Sequence, residues 1–133
     1  VSMRVFTPEM VVWKPRFKID KIKKIGRDDL NYLQIMNSIF NFNTLADSYL
    51  ENYIFFEESY YADNIDIGDI PVVNKLSQIV EKNNIFVKIH PRNGVNRFRE
   101  LGYKTNIDTS VPWEIIAMNI DISNKVLITI ASG

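Results

Sequence analysis

The chain carries one histidine, and its setting makes it the first residue to consider. His90 follows the apolar run Ile85-Phe86-Val87-Lys88-Ile89 and opens the turn His90-Pro91-Arg92-Asn93-Gly94. Proline restricts the backbone there and so aims the imidazole. An imidazole can hydrogen-bond a phosphate or give up a proton near neutral pH, and Arg92 can pair with phosphate. A second apolar run, Tyr53-Ile54-Phe55-Phe56, is followed by Glu57, Glu58 and, after Ser59-Tyr60-Tyr61-Ala62, by Asp63. A third, Val126-Leu127-Ile128-Thr129-Ile130, runs into Ala131-Ser132-Gly133, a small-residue segment whose backbone donors suit a phosphate. Glu114 stands just after Pro112, where a carboxylate either complements a helix dipole or accepts from two ribose hydroxyls. Every one of these residues also has a purely structural reading: a hydrogen-bonding histidine, a solvated arginine, loop carboxylates, a loop-capping Asp63, a simple Ser132-Gly133 turn.

Whether they act together depends on the elements that carry them. Asp28 and Asp29 are good helix starters, and Tyr32, Leu33, Met36, Ile39 and Phe40 recur at helical spacing, so a helix is expected over 28–40. Residues 41–43 break it, and 44–50 read as one more short helix. From Tyr53 the rhythm changes. Apolar runs of strand length at 53–56, 85–89 and 126–130, with a smaller one at 103–107, alternate with helical stretches. These begin near Pro71 (apolar face Val72, Val73, Leu76, Ile79, Val80), at Val95 and at Pro112. Near-continuous apolar strands separated by helices argue for a parallel sheet covered on both faces. The expected fold is therefore α/β, a Rossmann-like parallel sheet flanked by helices. In such sheets ligands bind beyond the carboxyl ends of the strands, and that is where Glu58, Asp63, His90, Pro91, Arg92, Ser132 and Gly133 fall. Upstream, 3–6 reads as a short strand and 18–24 as a strand or a short turn of helix.

Composition narrows the chemistry. The 133 residues are one domain's worth, 1–133, and at 46% hydrophobic they can build a core. With no cysteine, disulfides, thiolate metal sites and a cysteine nucleophile are excluded; one histidine leaves only carboxylates for a metal, so none is expected. Sixteen basic against sixteen acidic residues leave no basic footprint for nucleic acid. No apolar run is long enough to span a membrane, no signal peptide is visible, and there is neither GxGxxG nor a P-loop. A cytoplasmic chain fits. Because the sequence stops just as a strand delivers its loop, it is expected to belong to a longer protein.

The ordered segments Ile54-Phe55-Phe56-Glu57-Glu58-Ser59-Tyr60-Tyr61-Ala62-Asp63 and Val87-Lys88-Ile89-His90-Pro91-Arg92 resemble glycosyltransferase family 52, which holds bacterial lipooligosaccharide and capsule sialyltransferases. So do Val111-Pro112-Trp113-Glu114, Ile128-Thr129-Ile130-Ala131-Ser132 and Arg4-Val5-Phe6-Thr7-Pro8-Glu9. The resemblance covers most of the chain and is best from Tyr53 onward. It implies one half of a two-domain GT-B enzyme, the half that binds CMP-sialic acid, and inverting transfer to a surface or capsular glycan without an obligatory metal. It implies His90 as acid or leaving-phosphate donor, Asp63 or else Glu58 as base, Ser132 on the phosphate and Glu114 on the ribose. Pro91, Arg92 and Gly133 complete the nucleotide contacts. A homodimer and peripheral association with the inner face of the membrane are compatible with it. A UDP-hexose transferase of the same fold and a non-catalytic α/β interaction module stay open as alternatives.

Overall fold

The computed structural model describes residues 4–8, 18–22, 24–43, 48–65 and 68–131. Ser132 and Gly133, and most of the short helix expected at 44–50, lie outside the described residues; Ser48, Tyr49 and Leu50 are not helical. Two strands, β1 (Arg4–Pro8) and β2 (Lys18–Ile22), pair in parallel, which resolves the upstream segment at 18–24 in favour of a strand.

The main sheet is built from β3 (Tyr53–Phe56), β4 (Ile85–Lys88), β5 (Lys104–Thr105) and β6 (Val126–Ile128). All neighbours are parallel, in the order β5-β4-β3-β6. Among the described residues four α-helices accompany it: α1 (Leu30–Phe40), α2 (Asp69–Leu76), α3 (Arg97–Glu100) and α4 (Trp113–Asn119). The protein is thus α/β with helices on both faces of a parallel sheet, as the strand pattern led one to expect.

Alternation along the strands feeds two cores. Phe55, Ile85, Val87 and Ile89 point to one side and pack with Val73 of α2, Phe98 of α3 and Tyr103. Ile54 and Phe86 point to the other, against Tyr49, Val111, and Ile115 and Ile116 of α4. Met36 and Phe40 of α1 pack on the second core without being buried themselves. α1 is instead tied to α4 by polar contacts. Asn37 and Asn119 exchange two amide hydrogen bonds, both 2.8 Å, and Arg27 Nη2 donates to the Ile120 carbonyl at 2.6 Å. The capping is legible: Asp29 accepts from the Tyr32 amide, and Asn41 closes α1 in the left-handed region at φ 50°.

Three details differ from the sequence pattern. Of the expected apolar face, Val73, Leu76 and Val80 pack on the first core, but Val72 and Ile79 are exposed: α2 ends at Leu76, the Ser77 hydroxyl donates to the Asn74 carbonyl and the chain turns. The strand expected at 103–107 shortens to two residues, because the side chain of Asn106 turns inward and its Oδ1 accepts from the Ile89 amide at 2.7 Å. And β6 is not a buried strand: among the described residues it has one neighbour, β3, and Val126 and Leu127 are exposed. An edge position leaves the apolar side chains of a parallel strand partly uncovered.

Candidate functional site

The strand order reverses direction at β3. The chain steps from β3 to β4 to β5 on one side, then returns to lay β6 against the other side of β3. At such a switch point neighbouring loops diverge and leave a crevice beyond the carboxyl ends. A cleft of about 670 Å³ occupies this position, lined by residues of the β3, β4 and β6 ends and the start of α4. Glu58, His90, Pro91 and Glu114 line it, together with Trp113 and Thr129. Trp113 is held in place from behind, its ring meeting Phe56 edge-on at 4.8 Å and Tyr49 at 6.3 Å.

The loop after β3 is fixed by a chain of buried polar groups. Glu57 extends the ladder by donating its amide to the Lys88 carbonyl at 3.0 Å. Its carboxylate is buried: Oε2 accepts from the His90 amide at 2.9 Å and Oε1 pairs with Arg97 at 3.0 Å. Glu57 therefore clamps the ends of β3 and β4 to α3. The next amide, of Glu58, donates to buried Asp69 at 2.9 Å. Burial first, then the charges of Glu57 and Glu58, raise the Asp69 carboxyl above its ordinary range, against the Glu58 amide and Arg97. Asn93, also buried, donates to the Glu58 carbonyl at 2.9 Å and accepts from the Ala62 amide at 3.1 Å, so it joins the two loops. With its backbone held on both sides, Glu58 reaches across to β6, where Oε1 accepts from the Thr129 hydroxyl at 2.9 Å and the Ala131 amide at 3.2 Å.

His90 is half-buried and caps a short 3-10 turn, Pro91–Asn93. Its Nδ1 accepts from the Arg92 amide at 3.2 Å. That bond assigns the proton of the neutral ring to Nε2, which leaves Nε2 as the nitrogen for a ligand. The Arg92 guanidinium turns away to Asp63 at 2.7 Å, and Asp63 also accepts from the Ser59 hydroxyl at 2.5 Å. Asp63 and Arg92 thus form their own pair, outside the residues that line the cleft.

This pair gives a pH prediction. The Ser59 hydrogen bond above all holds Asp63 below the usual carboxylate range; desolvation, next in size, opposes it, and the Arg92 guanidinium and His90 add smaller lowering effects. A carboxyl whose folded value is depressed contributes stability above its unfolded value and loses it as pH falls through the folded one. In a carbon-detected titration, Asp63 should have its midpoint below the ordinary aspartate value, and Arg92→Ala should move it back upward. An unshifted midpoint in the unmodified chain would remove the pairing from solution.

Lys88, Asp69, Asn93 and Asn106 are the residues that sequence reading missed. Lys88 is buried in the cleft wall, hidden in the sequence inside an apolar run. The other three are ordinary loop or helix-start polar residues whose burial emerges only once the strands are aligned. Among the described residues no group of three or more histidine, cysteine or acidic side chains could hold a metal, and no helix is long and apolar enough to cross a membrane. No family model, curated protein or solved structure matches the chain.

Proposed function

We propose that this chain is the nucleotide-sugar-binding half of a GT-B glycosyltransferase, using CMP-sialic acid for inverting sialyl transfer to a surface or capsular glycan. One observation carries the reading: a histidine with Nδ1 satisfied by its own turn and Nε2 left for a ligand, lining a cleft at the switch point of a parallel sheet. That is where a doubly wound sheet takes a nucleotide. A non-catalytic module would be expected to turn His90 into the core and to lack a cleft there.

In the proposed reaction the acceptor hydroxyl oxygen attacks the anomeric carbon as the bond to the CMP phosphate oxygen breaks. His90 Nε2 donates its proton, or a hydrogen bond, to the departing phosphate. Glu114, at the first turn of α4, accepts from the ribose hydroxyls, and Trp113 flanks the nucleoside. Ser132 and Gly133 supply donors to the phosphate. A carboxylate takes the acceptor proton. Of the two candidates, Glu58 lines the cleft, whereas Asp63 is bound to Arg92 and Ser59, and its depressed basicity suits it less. Competitive calorimetry tests the donor. CMP binding in preference to UMP is the expected result; a preference for UMP would transfer the reading to a UDP-hexose donor.

A further inference from the structure

Among the described residues, Lys88 is the one lysine or arginine in the wall of the cleft. On β4 it shares a side with Phe86 and His90, opposite Val87 and Ile89, whose side chains enter the core beneath α2 and α3. It is 8% exposed. Among the described residues its ammonium makes no hydrogen bond and no salt bridge.

The neighbouring charges explain why it lacks a partner. Glu57 is spent on Arg97 and the His90 amide. Glu58 points to Thr129 and Ala131 on β6. Glu114 acts on Lys88 electrostatically but forms no salt bridge with it, and burial draws the amine below the ordinary lysine range. The side chain as a whole is buried, while its ammonium, unlike the Asp69 Oδ1 and Arg97 Nε atoms, is not sealed from the cleft and is paired with no carboxylate among the described residues. A fold that keeps an ammonium at the wall of an open cleft holds it ready for a negative group that arrives from outside.

We infer that Lys88 is the oxyanion-binding group of the cleft, taking a phosphate or carboxylate oxygen of the ligand. The inference rests on the reading of this cleft as a nucleotide-sugar site and names the side chain that meets the ligand's charge. Both chemistries occur in such a donor, so the test separates them.

The chain is titrated with CMP, cytidine, inorganic phosphate and acetate, with amide shifts and the Lys88 Cε resonance followed by NMR. The unmodified chain should bind CMP roughly 10- to 100-fold more tightly than cytidine, the size of a hydrogen bond to a charged group. Lys88→Met, which keeps the length of the side chain, should erase that difference, and Lys88→Arg should restore part of it. A CMP preference that survives in Lys88→Met overturns the inference while leaving the nucleotide reading intact. Saturable shifts of Lys88 Cε with phosphate or acetate, without any preference for CMP over cytidine, support the inference and count against the nucleotide reading. The stronger of those two anions then identifies the group that Lys88 reads. No movement of Lys88 Cε with any of the anions overturns it. Because Cε is observed in the unmodified chain, the test does not depend on the variants folding.

Discussion

Replacing His90 with alanine should slow sialyl transfer by the two-domain enzyme proposed here by roughly 100- to 10,000-fold, the range of a lost general acid. The same substitution should hardly disturb folding. The ring is half-buried, and among the described residues its hydrogen bond is the one from the Arg92 amide to Nδ1. Removing it exposes one backbone amide at the surface, which costs about 0.5–1.5 kcal/mol. The backbone of His90 is held separately, by Glu57 through its amide and by Asn93 through its carbonyl. A transfer assay beside a urea titration checks both halves. A rate within a few-fold of the unmodified enzyme would take His90 out of the chemistry; a large loss of stability would make it a structural residue.

The largest effect on stability is expected at Phe55. It lies at the centre of β3, flanked by β4 and β6, is fully buried, and packs with Phe98 of α3 at 6.3 Å between ring centroids. Phe55→Ala removes the ring from a core also lined by Val73, Ile85, Val87 and Ile89, none of which can move far without shifting a strand or helix. A loss of about 3–5 kcal/mol is expected in denaturant unfolding, because the cavity adds to the lost transfer energy. Ile79→Ala should change stability by less than about 0.5 kcal/mol, because Ile79 is exposed beyond the end of α2. If the two variants were equally destabilised, the assignment of the core would be wrong.

The contrast between these positions shows what could be read from the sequence. Ile85-Phe86-Val87 and Tyr53-Ile54-Phe55-Phe56 announce covered strands because their apolar residues are uninterrupted, and the helices between them make the sheet parallel. The order β5-β4-β3-β6 is a different matter. It follows from pairings between residues far apart in the chain, such as Tyr53 with Val126, and no local pattern encodes it. The apolar run at Val126 reads like the others, yet it forms an edge, since burial depends on what lies beside a strand and not on its own composition.

At the site the same division holds. The place of His90-Pro91 at the cleft was legible because the two residues directly follow an apolar run that reads as a covered strand. Glu57 and Glu58 are adjacent and alike in sequence, but the structure separates them: one is buried against Arg97 and the His90 amide, the other reaches across to Thr129 and Ala131. Strand alternation at the end of β3 makes that distinction. Asp63 and Arg92, read as members of the same rim, are joined to each other. Lys88 was concealed for the opposite reason, as a charge inside an apolar strand whose alternation turns it toward the cleft.

Amide shifts of the unmodified chain on addition of CMP test the central claim most directly. Saturable changes confined to the cleft are expected, at Glu58, Lys88, His90, Glu114 and Thr129, with the residues of α2 unmoved. Shifts scattered over the surface, or none at CMP concentrations well above those at which nucleotide sites fill, would contradict it.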